Sequence, residues 1–117
     1  MKKNMHKGEI WLVEFPAVSV HEQIGTRPVI ILANTETNVC IVIPLTSNLN
    51  SLRFTHTIEI KKSEKNRLES DSIALIFQTR AIDKRRIMKR LGVLEEKYIN
   101  QIDENIIRLF RLRQFFS

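Results

Sequence analysis

Apolar positions fall first into short runs and only at the end of the chain into a helical period. Glu9-Ile10-Trp11-Leu12-Val13-Glu14-Phe15 is rich in β-branched, aromatic and aliphatic residues and stops at Pro16. That is the pattern of a strand followed by a loop, here running to about Thr26. Pro28-Val29-Ile30-Ile31-Leu32-Ala33 and Val39-Cys40-Ile41-Val42-Ile43-Pro44-Leu45 flank the turn-forming cluster Asn34-Thr35-Glu36-Thr37-Asn38 and together predict a hairpin. Neither run interleaves polar residues, so both strands are expected to be covered on both faces. Thr55 to Ile60 does alternate, and Ser72-Ile73-Ala74-Leu75-Ile76-Phe77 is another compact apolar run. Between them, Lys61 to Asp71 is polar and reads as an exposed excursion with one helical turn. Five or six short strands in so short a chain predict a small barrel or sheet.

From Glu95 the period changes. Ile99, Ile102, Ile106, Leu109 and Phe110 recur at spacings of three and four, with Glu96, Asn100, Asp103 and Arg108 between them. This predicts an amphipathic helix packed on the sheet. Glu95 and Glu96 at its start and Arg108, Arg111 and Arg113 at its end suit the macrodipole, although Glu95 is a weaker cap than Ser, Thr, Asp or Asn.

Composition bounds what such a fold can be. The chain has 117 residues, 43% of them hydrophobic, which is one domain spanning 1–117 with a modest core. Lys and Arg number 19 against 13 Asp and Glu, a formal charge of +6 that favours an anionic partner. The single cysteine, Cys40, lies in an apolar run and cannot form an internal disulfide, so a cytoplasmic setting is expected. The basic start, Met1 to Gly8, precedes only a short strand-like run, and no apolar stretch approaches the roughly 20 residues of a membrane span. Secretion and membrane association are disfavoured. Three histidines and one cysteine, at no ligand-like spacing, give little support for a metal, and no cofactor motif is present.

The charge is clustered: Arg80, Lys84, Arg85, Arg86, Lys89 and Arg90 crowd one stretch, and Lys61, Lys62, Lys65 and Arg67 another. Either these form a solvated rim or they track phosphates. Only eight aromatic residues are available (six Phe, one Trp, one Tyr), mostly in strand runs or the helix, so base-stacking platforms look scarce. The densest chemistry lies in the loop after the first strand. His21-Glu22-Gln23-Ile24-Gly25-Thr26-Arg27-Pro28 gathers a base, an acid, an amide and a guanidinium just before a buried strand. Arg27, where loop meets strand, is placed to grip phosphate bidentately or to clamp the loop through Glu22. At the end of the third strand, Pro44-Leu45-Thr46-Ser47-Asn48 offers two hydroxyls and an amide for an anion, or simply a turn. Neighbouring strands of one sheet would bring Arg27 and Thr46 together.

These segments, with Gly8-Glu9-Ile10-Trp11-Leu12-Val13 before them and Asp71 to Arg86 after, resemble in order, spacing and length the MazF/PemK family of toxin endoribonucleases over nearly the whole chain. The Gly-x-Arg-Pro and Pro-Leu-Thr-Ser pair at this separation carries most of the specificity. The resemblance implies a mainly β fold: a small SH3-like β-barrel of five to seven strands with a C-terminal α-helix. It implies a homodimer, metal-independent and sequence-specific cleavage of single-stranded RNA, and a cytoplasmic bacterial toxin neutralised by a cognate antitoxin, expected as an acidic, partly disordered peptide. By motif position the family's essential arginine falls on Arg27, its threonine on Thr46 and its loop acid on Glu22. Gln23, Ser47 and Gln78 fall on RNA-lining positions, and His21, Asn48 and His56 are carried as RNA contacts. Some relatives hold an arginine and an aspartate where this chain has the apolar Leu75 and Phe77, so acid–base chemistry by that pair cannot operate here. Relatives often have glycine where this chain has Val20-His21.

RNA without a metal is most simply cut by its own 2′-hydroxyl, leaving a 2′,3′-cyclic phosphate and a 5′-hydroxyl. Arg27 suits stabilisation of the phosphorane charge better than proton transfer, because its pKa lies above about 12. The Thr46 hydroxyl and backbone amides share that charge. Glu22, His21 and His56 compete for the role of base, and in-line positioning without a dedicated base is a further route. Two alternatives stand beside this reading: a toxin of the same fold that poisons DNA gyrase by binding, and a plain RNA-binding barrel.

Overall fold

A computed structural model of the chain describes residues 3–15 and 25–113. Among these residues are seven strands: β1 (Glu9–Phe15), β2 (Gly25–Asn34), β3 (Val39–Thr46), β4 (Thr57–Ile60), β5 (Ser72–Leu75), β6 (Arg80–Asp83) and β7 (Ile87–Val93). One helix, α1 (Glu96–Phe110), follows them. The strands pair antiparallel in the order β4-β5-β3-β2-β1-β7, with β6 also on β3. The expected mainly β fold with a C-terminal helix is therefore what the chain adopts. It is not a closed barrel: among the described residues β4 and β7 end the path and do not pair with each other.

The long hairpin organises the rest. β2 runs along one edge of β3; on the other edge Val39–Val42 faces β6, and Leu45 and Thr46 face β5. One strand with two partners on the same side must bend, and register shifts at Ile10/Trp11, Leu12/Val13 and Ile31/Ala33 add curl. The absence of alternation in β2 and β3 is explained by cores on both faces. Ile10, Ile30, Ile43 and Leu45 join the larger cluster under the helix, while Trp11, Val13, Val29, Ile31, Cys40 and Val42 form a second with Met5 and Ile87. Cys40 is fully buried, its thiol donating to the Ala33 carbonyl at 3.2 Å, and burial raises its pKa against a smaller lowering by Lys84.

The alternating run delivers β4, shorter than the pattern suggests. The run from Ser72 keeps strand geometry only to Leu75, then closes into a 3₁₀ turn at Ile76–Gln78. Two strands lie where charge hides them in sequence, because β6 and most of β7 turn charged positions outward, with Ile82, Ile87 and Gly92 buried. Lys61 to Asp71 is corrected from an exposed excursion: Asn66 is fully buried and Leu68 reaches the larger core.

The helix packs Tyr98, Ile99, Ile102, Ile106 and Leu109 on that core, whereas Phe110 is 58% exposed. Glu95 makes no side-chain cap; its carboxylate instead accepts from the Asn66 amide at 3.1 Å. The Tyr98 hydroxyl accepts from the Lys61 backbone N–H at 3.1 Å, fixing the helix to the end of β4. Gly8, at φ 90°, lets Ile99 approach: a Cβ there would lie 2.7 Å from the isoleucine's terminal methyl. Among the described residues no helix is long and apolar enough to cross a membrane.

Candidate active site

The start of β2 and the end of β3 leave the same end of the hairpin. Val29 stands opposite Pro44, Ile30 opposite Ile43 and Ile31 opposite Val42. Continuing this antiparallel register by two residues sets Arg27 across from Thr46, on one face. A cleft of about 540 Å³ opens here, with Gly25, Thr26, Arg27, Thr46 and Ser47 on its hairpin side. Leu12, Pro28, Leu45, Leu68 and Leu91 give it apolar walls. The polar residues opposite are Arg67, Glu69, Ser70, Ser72 and Lys89.

Each hairpin residue is presented for a local reason. Arg27 is exposed although it lies in a strand. Thr46 is half-buried, and its Oγ1 accepts the Asn48 backbone N–H at 3.2 Å. That bond uses an oxygen lone pair, so the hydroxyl hydrogen stays available as a donor into the cleft. Asn48 has a structural task, since its side chain accepts from the Asn50 N–H at 3.1 Å and caps the 3₁₀ turn Leu49–Arg53. Ser47 is exposed at the cleft rim.

Not all the expected residues gather here. His21, Glu22 and Gln23 lie outside the described residues. Asn48, His56 and Gln78 do not line the cleft. His56 sits at φ 57° with its Nδ1 buried and without a hydrogen-bond partner, while Gln78 is exposed on the 3₁₀ turn after β5.

The basic clusters also divide. Among the described residues, Lys7 pairs with Asp103, Lys61 with Glu59 and Asp71, Arg85 with Asp83, and Arg90 with Glu9. Hydrogen bonds from the Arg85 side chain and backbone hold the Asp83 carboxyl down at about 2. The Lys84 ammonium donates to the Thr35 carbonyl, the Lys3 ammonium to that of Ile87, and Arg80 stacks over Phe15. Much of the charge thus serves structure, and three cations, Arg27, Arg67 and Lys89, reach the cleft. Glu69 is the one carboxylate among the described cleft residues.

Arg67, Glu69 and Lys89 carry no local signal that marks them. They belong to a polar segment and to a charged strand. The folding of residues 61–71 over the sheet brings Arg67 and Glu69 to the hairpin, and the pairing of β7 with β1, where Lys89 stands opposite Leu12, brings Lys89.

Comparison with known proteins follows the same outline. The profile of the family described as PemK-like, MazF-like toxin of type II toxin-antitoxin system matches residues 6–110. The Endoribonuclease MazF of Staphylococcus saprophyticus is 33% identical over 106 residues, 87% of this chain and 88% of that protein. In fold, the chain is similar to MazF in a MazE–MazF crystal structure from Deinococcus radiodurans, with a TM-score of 0.76 at 19% identity, covering 96% of this chain and 100% of that one. An endoribonuclease in complex with its cognate antitoxin from mycobacterial species gives 0.69 at 14% identity, over 95% and 99%. The two-sided hairpin, the cleft at its end and these likenesses agree: the chain belongs to the PemK-like, MazF-like toxin family of type II toxin–antitoxin systems.

Proposed function

We propose that the protein is an endoribonuclease toxin that cuts single-stranded RNA at short sequence motifs, with Arg27 and Thr46 at the reaction centre. The observation that carries this reading is that these two residues, far apart in sequence, line one cleft in a member of this family. The 2′-hydroxyl loses its proton and attacks the adjacent phosphorus; the P–O5′ bond breaks, and O5′ takes up a proton. The products are a 2′,3′-cyclic phosphate and a 5′-hydroxyl. Extra negative charge on the phosphorane is met by the Arg27 fork and by the free donor of Thr46, with Lys89 and Arg67 holding neighbouring phosphates. Glu22 and His21 of the preceding loop, and Glu69 from the opposite wall, are the groups available to accept the first proton. No step requires a metal or a cofactor.

The name of the staphylococcal relative favours cleavage over gyrase poisoning. Relatives solved with MazE or with a cognate antitoxin support an antitoxin partner here, an acidic chain over the basic cleft. A homodimer acting in the bacterial cytoplasm and arresting growth by destroying messenger RNA completes the reading.

The test is cleavage of a 5′-labelled single-stranded RNA in EDTA, with 5′-hydroxyl ends mapped. Arg27→Ala and Thr46→Val are expected to lower the rate about 10²- to 10³-fold, as loss of an oxyanion donor does, with the thermal midpoint unchanged. A 2′-deoxy ribose at the cut site should block the reaction. Cleavage that survives the deoxy substitution, or that needs added magnesium, would sink the mechanism.

A further inference from the structure

Phe54 and Phe77 are 45% and 41% exposed, yet their ring centroids lie 5.7 Å apart at an interplanar angle of 55°. The Arg53 guanidinium sits over Phe54, 4.8 Å from its centroid. The rings stabilise one another by this contact, yet about two fifths of each residue stays open to solvent and free to meet a ligand. The segment that joins them is strained: His56 holds a left-handed backbone, and its carbonyl accepts the N–H of Ile76, directly before Phe77, at 3.0 Å. The His56 Nδ1 is sealed from solvent with no partner. Backbone strain and orphaned polar atoms collect where a fold holds a ligand.

The cluster lies along the strand that serves Thr46. Ile73 of β5 is the register partner of Thr46, and Phe77 follows it by two extended and two 3₁₀ residues, roughly 10 Å of chain. The rings therefore lie within reach of the first few nucleotides on one side of a strand held at Thr46. Exposed aromatic faces with an arginine beside them are the chemistry that binds unpaired bases. A second copy of this chain docking with its two-fold axis through the cluster would instead bring two Arg53 guanidinium groups together.

From this juxtaposition we infer that Phe54 and Phe77, with Arg53 beside them, form a stacking platform for an unpaired base flanking the scissile phosphate. The inference rests on the ribonuclease reading and adds a binding subsite to it.

Uncleavable all-deoxy oligonucleotides of mixed sequence, carrying 2-aminopurine at successive positions, test it with the full chain. Quenching on binding is expected at one or two positions only. F54L/F77L should abolish that quenching and weaken binding about tenfold. Should the double variant fail to fold, Arg53→Gln at an exposed position is expected to weaken binding about three- to tenfold while leaving the thermal midpoint in place. Unchanged quenching and affinity in the double variant, or in Arg53→Gln where the double variant does not fold, would overturn the platform. So would a shift from dimer to monomer on sedimentation, which would make the patch a subunit contact. RNA matched to the oligonucleotides separates the two readings. Cutting by the unmodified chain without position-specific quenching removes the platform alone, and quenching without cutting removes the nuclease alone.

Discussion

Arg67 occupies a left-handed backbone at φ 59° while its side chain lines the cleft. For a residue with a Cβ that conformation costs about 1–2 kcal/mol. The fold holds it because the Arg67 N–H donates to the Ser63 carbonyl at 2.9 Å. Glycine removes the strain and adds about 0.4–1 kcal/mol of unfolded-state entropy. Arg67→Gly should therefore keep or slightly raise the thermal midpoint while weakening RNA binding about fivefold, read by calorimetry and by anisotropy of a labelled oligonucleotide. A fall in stability would show that the guanidinium itself supports the turn, and unchanged affinity would take Arg67 out of the phosphate-binding set. At this scale the sequence told half the story. Arg27 and Thr46 stood out through the family's Gly-x-Arg-Pro and Pro-Leu-Thr-Ser motifs, since a loop clamp and a plain turn account for the isolated residues equally well. Arg67 and Glu69 were not, because nothing local distinguishes them from solvated charge.

The element that brings them to the cleft is the segment from Lys61 to Asp71, and Asn66 is its hub. The buried amide accepts from the Ser63 and Leu68 N–H groups at 3.0 and 3.1 Å and donates to the Lys61 carbonyl and the Glu95 carboxylate at 2.9 and 3.1 Å. Both donors and both acceptor lone pairs of the side chain are used, and the turn is tied to the start of α1. Gly92 of β7 completes the fit, since a Cβ there would meet the Lys65 and Asn66 carbonyl oxygens at 2.6 Å. Asn66→Ala strands several buried groups, for a loss of about 2–4 kcal/mol, or about 10 °C in thermal midpoint. It should also lower kcat/KM although Asn66 lies outside the lining of the cleft, because one wall loses its anchor. A midpoint within a degree or two of the parent would show that water replaces the network. Sequence patterns delivered β1 to β3 and α1, where hydrophobic period dominates. They missed the burial of this turn, and they missed β6 and β7, because a buried asparagine and outward-facing charges look alike in a string of polar letters.

For the whole molecule, the question is how much of the +6 charge an RNA strand meets. Each phosphate neutralised on a single strand contributes about −0.7 to the slope of log affinity against log salt. If the full net charge acted at the site, the slope would be about −4. The structure argues for less: Arg27, Arg67 and Lys89 are the cations that line the cleft among the described residues, and Lys3 and Lys84, outside that lining, are held at backbone carbonyls. Arg27, Arg67 and Lys89 at the cleft give a slope of about −2, and Arg53 beside the aromatic pair takes it to about −3. Between 50 and 200 mM salt, affinity for an uncleavable single strand should fall about 16- to 64-fold. Arg53→Gln should move the slope by about one contact, whereas Arg85→Gln, in an ion pair with Asp83, should leave it where it was. A slope near −4, or an equal response to both variants, would mean that the strand samples the outer basic surface, and the cleft would lose its place as the main phosphate site.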